Sequence, residues 1–422
     1  MQETLLHYIW QFRQYNSLSL ITQDNQSLQV LKAGIHNTHA GPDFENARLR
    51  INETEWAGQV EIHVKSSDWN KHQHQKDAAY NNVILHVVWE DDDSIRNQLG
   101  EKIPTLELKP LVDEDLLNRY TYLMNNQQWI PCENFIGETE SFHLQQFLER
   151  LLIERLEQKS EEIQSVLYSN KNDWEETFYQ FFCKSLGLKV NAEPMFQLAN
   201  LLSQKILSKH RDNRIQLEAL LFGVAGFLNE PIDEYAQQLH KEYHFLKYKY
   251  QLPEMNKSQW KFMRLRPSAF PTVRLAQLAD LICQNTHLFS KILGAESVQE
   301  LEQLMQAQVV GYWETHYQLG VKSVNRKKSF GKGLVRNLII NTIVPFLFVY
   351  AKEKGKPALQ DRAFYFLTHL PAEPNAIIKH YKELGIEVEN ARQSQAILQL
   401  KKHYCDAKKC LNCSIGSQWL NR

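Results

Sequence analysis

The sequence predicts an α+β chain, with a mixed α/β unit in the order helix, strand, strand, helix, strand, followed by a mostly α-helical domain. Three observations predict it. Apolar and polar residues alternate with period two in "ARLRI" (47–51) and "GQVEIHVKSS" (58–67), around the turn "NETE". The run "VILHVVWE" (83–90) is β-branched and mostly apolar, as in a strand covered on both faces. Beyond about residue 135 the spacing becomes helical, with Leu144, Phe147, Leu151 and Leu152 on one side of a long segment, 143–168. The expected division is therefore 1–134, an α/β domain, and 135–422, a helical domain ending in a cysteine cluster.

Element by element, Leu5, Tyr8, Ile9 and Phe12 predict an opening amphipathic helix over 2–16. "SLQVLKAG" (27–34) reads as a polar strand, ahead of the turn-rich "HNTHAGPDF". After the hairpin, "DWNKHQHQKDAAYNN" (68–82) is helix-compatible, with Asp68 as N-cap. "IPTLELKPLV" adds one more strand. Further helices are expected near 174–187, 193–207, 214–228, 233–248, 271–285, 333–352, 374–384 and 389–403, with no fixed repeat period.

Hydrophobic residues make up 43% of the 422, enough to bury an ordinary core. The 48 basic residues balance the 49 acidic ones, so no global field draws the chain to nucleic acid or to an anionic membrane, and any polyanion site must be local. The first residues lack the pattern of a secretory signal. The longest apolar run, "LIINTIVPFLFVYA" (338–351), has about 14 residues where a bilayer needs roughly 20. A cytoplasmic protein with no membrane association is expected.

Chemistry concentrates in one strand. Side chains at i, i+2 and i+4 share a face, so Glu61, His63 and Lys65 line one side and Val60, Ile62 and Val64 the other, which is expected to be the buried one. "GPDF" places Asp43 ahead of the preceding strand, where pairing would bring it beside Glu61. Two carboxylates held together repel unless a divalent cation sits between them. A lysine on that face could position a water whose pKa the cation lowers. His36, His39, His63, His72 and His74 crowd the same stretch, which suggests metal or phosphate contact. The bland reading is a solvated strand face with a weak ion pair, and a surface helix for His72 and His74, since an HxH pair on a helix does not share a side.

A proline-aspartate pair (Pro42, Asp43), a hairpin, and an acid and a lysine on one strand resemble the PD-(D/E)XK nuclease superfamily over roughly residues 1–95. The resemblance implies magnesium- or manganese-dependent cleavage of DNA or RNA. It assigns Asp43 and Glu61 to the cation, Lys65 to the attacking water, and His63 to a ligand or acid-base role. Polar residues of the following segment, His72, His74 and Tyr80, would contact substrate phosphate. The superfamily places its final acid two residues before the lysine; here that position is His63, and Glu61 stands four before. The whole chain also resembles an uncharacterised bacterial family known only as a domain of unknown function, which brings no activity.

Cys405, Cys410 and Cys413 in "HYCDAKKCLNCSIG" have the spacing of a structural zinc or iron-sulfur site, with His403 as local and Cys132 as remote fourth ligand; reduced cysteines packing a terminal turn are the alternative. Cys183 and Cys283 read as core residues. Two basic loops, one with Arg264, Arg266 and Arg274 and one with Lys327, Lys328 and Lys332, could hold a nucleic-acid backbone or be ordinary solvated loops. The functional expectation is a metal-dependent phosphodiesterase. The alternative is a non-catalytic nucleic-acid-binding or protein-interaction scaffold that keeps the nuclease-like fold.

Overall fold

The structure, a computed structural model, describes residues 1–421, and the chain divides into two units. The first joins Met1–Phe147 to the segment that begins at Lys401; the second is Leu148–Leu400. The boundary thus lies past the expected residue 134, and the C-terminal cysteines belong with the first unit, not with the helical one. The reason is local packing. Trp419 stacks on Phe135 with ring centroids 4.2 Å apart, and Arg119 Nε donates to the Leu420 carbonyl at 3.2 Å.

The first unit is built on a mixed sheet. Helix α1 (Glu3–Gln11) precedes strands β1 (Leu20–Ile21), β2 (Ser27–Lys32), β3 (Ile35–His36), β4 (Phe44–Ile51) and β5 (Thr54–Lys65). A single helical turn, α2 (Asp68–Lys71), leads to β6 (Val83–Glu90) and β7 (Thr105–Glu107), and helix α3 (Glu114–Asn125) follows. The strand order is β1-β2-β4-β5-β6-β7, with β3 also pairing β4. Pairing is antiparallel up to β5 and parallel for β5-β6 and β6-β7.

The β4-β5 hairpin closes as the sequence predicts, with Ile51 opposite Thr54 and Asn52 in the left-handed region that tight turns need. Gly34 (φ +101°) joins β2 to β3, where a Cβ would lie 2.9 Å from the Glu45 carbonyl. Helix α1 buries Leu5, Leu6, Tyr8, Ile9 and Trp10, and Trp10 Nε1 donates to the Ala33 carbonyl at 3.0 Å.

Two expectations fail here. Over 68–82 there is no continuous helix: after α2, Gln73 takes a left-handed conformation (φ 64°), and two short 3-10 turns, His74–Lys76 and Ala78–Tyr80, follow. Asp68 is not the cap but the first helical residue, and its carboxylate accepts from the Lys65 amide at 3.0 Å. Nor is the polar face of β5 solvated, because Glu61 and His63 are 5% and 1% exposed, as buried as Val60 and Ile62 on the other side.

The second unit is helical apart from one hairpin, His316–Gln318 with Val321–Lys322. Its core is aromatic: Phe178 packs 5.2 Å from both Phe289 and Phe346. The apolar run at 338–351 belongs to a 23-residue helix, Lys332–Lys354, long and apolar enough by composition to cross a membrane. Within the protein 72% of its apolar window is buried, so that surface is spent on the core. Ile339–Ile343 form a wider π turn just ahead of Pro345, which has no N–H to give the carbonyl four residues back.

Candidate metal centre

The site is assembled from four pieces of the first unit: α1, the start of β4, the middle of β5 with its neighbour β6, and the turns after α2. A register shift between Phe44 and Ala47, with Asn46 left-handed, brings Asp43 beside β5. The two carboxylates then clasp each other's backbone. Glu61 Oε2 accepts from the Asp43 amide at 3.0 Å, and Asp43 Oδ2 accepts from the Ile62 amide at 2.9 Å.

Around them stand imidazoles. His63 Nδ1 is 2.8 Å from His86 Nε2, and His63 Nε2 is 3.0 Å from His72 Nδ1. Glu61 Oε1 lies 3.3 Å from His74 Nε2 and 3.6 Å from His63 Nε2. His63, His72 and His74 each offer a ring nitrogen, all within 4.8 Å of one another, in a set that runs from buried His63 through half-buried His74 to exposed His72. The left-handed Gln73 makes this possible, since it breaks the helical course that would have sent rings 72 and 74 to different sides. Their centroids are 5.5 Å apart. Tyr80 backs the group, stacked on His74 at 3.8 Å, with Trp69 edge-on to His74 at 5.3 Å.

The electrostatics follow from burial. Desolvation, with the charge of Asp43 beside it, raises the pKa of Glu61 despite its contacts with His74 and the Asp43 amide. Burial and the neighbouring His74 and His72 push His63 down to about 3, and burial holds His86 well below the usual imidazole range. Burial also opposes charge on His7, yet Asp43, 3.2 Å away, outweighs it and raises the pKa. Among the described residues, neither Asp43 nor Glu61 pairs with a lysine or arginine. Ring nitrogens of His63, His72 and His74 converge beside the Glu61 carboxylate, a donor set that suits a metal cation.

Of the residues expected here, Asp43, Glu61, His63, His72, His74 and Tyr80 come together. Lys65 does not join them. It shares their face but sits farther along β5, where its ammonium lies 3.8 Å from both Glu90 and Asp92. Position 63, two residues before Lys65, holds an imidazole within the group where the expected pattern has its final acid.

Sequence reading missed Glu3, His7 and His86. Glu3 and His7 stand one turn apart on α1, off its apolar positions, a spacing visible in the sequence. Glu3 is raised by burial and by Asp43, which places its carboxyl within reach of that charge. His86 is the single ionisable group inside "VILHVV", paired in register with Glu61. His36 packs against His7 at 5.1 Å, at the edge of the group.

The basic residues expected to contact substrate lie in the second unit, where Arg264, Arg266, Lys327 and Lys332 are exposed. Arg274 and Lys328 are not surface residues. Arg274 is buried in helix Pro271–Gln284 and donates to Gln277 Oε1 at 2.8 Å. Lys328, 4% exposed, donates to the carbonyls of Trp313 and Glu314 and lies 4.4 Å from the Tyr317 ring, so it braces its own loop.

The family described as "Protein of unknown function (DUF2851)" matches residues 3–376. The chain belongs to the DUF2851 family. No curated protein and no solved structure matches it. The DUF2851 match takes in every residue of the histidine-carboxylate group, from Glu3 to His86, and stops before the three C-terminal cysteines.

Proposed function

We propose that the Asp43-Glu61-His63-His72-His74 group binds a divalent cation and hydrolyses phosphodiesters in DNA or RNA. The observation that carries the reading is the set of three imidazole nitrogens within 4.8 Å, with a buried carboxylate that no ammonium or guanidinium neutralises among the described residues. Three imidazoles favour a borderline ion such as manganese or zinc over magnesium, which prefers oxygen donors. The ion would supply Lewis-acid polarisation of a phosphoryl oxygen and a lowered pKa for coordinated water. The chain's own contribution is positional. Glu61 and His63 sit rigidly on a central strand, Asp43 is fixed by the Ile62 amide, and exposed His72 marks the solvent side by which substrate would arrive.

The phosphodiester class rests on the resemblance in strand order and on the Asp43-Glu61 pairing, with His63 in the position of the usual final acid. A cytoplasmic location fits such a substrate. The test is cleavage of single-stranded and duplex DNA and RNA by the purified chain in manganese, magnesium or zinc, beside Asp43→Ala and Glu61→Gln. Cleavage that falls by at least about 100-fold in both variants supports the reading; cleavage unchanged in them, or absent with every ion, overturns it.

The exposed Arg264, Arg266, Lys327 and Lys332 favour a second reading, a nucleic-acid-binding scaffold. Metal-independent binding whose salt dependence weakens on neutralising Lys327 and Lys332, with no cleavage, selects it.

A further inference from the structure

We infer that Cys132, Cys405, Cys410 and Cys413 form a four-thiolate site for a thiophilic metal centre, a zinc ion or an iron-sulfur cluster, that ties the C-terminal segment to the loop after α3. Four of the chain's six cysteines are involved, and each is at most 8% exposed. Three arrive from one short segment and the fourth from far upstream in the chain, all in the first unit.

The geometry around them is a set of tight turns clamped to one loop. Cys405 ends a π turn, Leu400–Cys405, and Cys410 opens a 3-10 turn, Cys410–Asn412. The Cys413 amide donates back to the Cys410 carbonyl at 3.3 Å, closing the C-x2-C knuckle that metal thiolates require. Gly416 lets the last helix (Ser414–Leu420) lie on that knuckle, since a Cβ there would be 2.3 Å from the Cys410 carbonyl.

The upstream loop is held against these turns from both sides. Lys408 Nζ donates to the carbonyls of Met124 and Asn126 at 2.5 and 3.3 Å, Asn126 Nδ2 donates to the Pro131 carbonyl at 2.9 Å, and Phe135 stacks on Trp419. Cys132 lies between those anchors, and its own carbonyl accepts from the Phe135 and Ile136 amides at 3.1 and 2.9 Å. Burial raises the pKa of the Cys132 thiol, and Cys405, Cys413 and Cys410 raise it further through space, so all three are within electrostatic reach. Burial of all four cysteines, the C-x2-C turn and the clamping of the Cys132 loop against the C-terminal segment place soft donors from two parts of the chain in one region, and a tetrahedral ion or a cubane cluster is the partner whose charge and softness match thiolates. Cys132, buried in that clamped loop, is assigned as the fourth donor in place of the half-buried His403.

The test is metal and acid-labile sulfide analysis of the full chain, purified anaerobically, with its visible spectrum. About one zinc per chain without colour identifies the ion, and iron with sulfide and a charge-transfer band identifies the cluster. In either case Cys132→Ser and Cys410→Ser should lower the content at least about tenfold. Cys183→Ser should leave it unchanged; metal that is lost in the pair His72→Ala with His74→Ala but kept in both cysteine variants belongs to the histidine site and overturns the assignment. Should the cysteine variants fail to fold, alkylation of the native wild type decides: Cys132, Cys405, Cys410 and Cys413 should react only after chelation. Wild-type protein with neither zinc nor iron, retention of metal in Cys132→Ser with loss in His403→Ala, or no change in thiol reactivity on chelation would overturn the assignment.

Discussion

Two polar groups, one in each unit, show how buried ionisable side chains settle their accounts differently. In the helical unit Arg155 Nε donates to Gln395 Oε1 at 2.6 Å, Gln395 in turn donates to Glu373, and Lys159 Nζ donates to Asn341 Oδ1 at 2.8 Å. Asn341 Nδ2 then reaches Glu373 Oε1 at 3.2 Å, completing a chain from Arg155 to Lys159. The π turn at Ile339–Ile343 contains Asn341, so a polar residue of this chain sits where the helix widens. There the charged groups meet hydrogen-bond partners of their own unit. On the sheet, by contrast, Glu61, His63, His72 and His74 turn a carboxylate and ring nitrogens toward one another, and burial disfavours charging His63 and His86. A polar chain that pairs with itself holds structure; a ligand-rich group that opens to solvent at His72 suits something brought in from outside.

The sharpest way to break that contrast is to remove the deepest ligand. His63→Ala should weaken manganese or zinc binding by more than about 100-fold in calorimetric titration, while Lys159→Met leaves it unchanged; equal affinity in wild type and His63→Ala would erase the distinction. Next in size, a cation at a hundred times its Kd should stabilise the wild type by about 2.7 kcal/mol, read as a rise in denaturant midpoint or Tm. The pair His72→Ala with His74→Ala should show no such rise.

Lys159 gives a smaller effect with a definite sign. Burial of its ammonium, with Arg155 beside it, holds its pKa at about 7, below the unfolded value of 10.5. Between those limits the unfolded chain binds more protons, so wild-type stability gains from this group as pH rises from 7 towards 10.5 and loses it on return to neutral pH. Lys159→Met should flatten that slope in urea melts at a series of pH values; an unchanged slope would show the ammonium to be well solvated. Smallest of all, Tyr80→Phe should shift stability by no more than about 0.5 kcal/mol and leave cation affinity intact, since Tyr80 meets His74 through its ring.

Much of the first unit was legible in the sequence. Alternation in "ARLRI" and "GQVEIHVK" fixed the hairpin and the face that carries Glu61 and His63, because a two-residue period leaves each side chain one choice of side. That this face is buried could not be read, since polar residues on a strand look the same whether they meet water or one another. The convergence of His72 and His74 was hidden for a different reason: it depends on one glutamine adopting a left-handed conformation, which its residue type does not announce. Lys65 misled because it obeys the strand period, yet the parallel partner β6 places Glu90 opposite it. In the second unit the strongly periodic helices appeared where expected, whereas Leu288–Gly294 and Val298–Leu304 are too short for periodicity to reveal, and Pro357–His369 went unread.

The return of the segment from Lys401 to the first unit has a consequence for synthesis. At roughly 5–20 residues per second on the ribosome, some 250 intervening residues emerge before that segment does, a delay of roughly 10–50 s. During that time the half-made protein exposes the faces of α3 and the loop around Phe135 that the C-terminal helix will later cover. The nascent chain must stay unaggregated through that interval, because residues translated after the second unit are needed to finish the first.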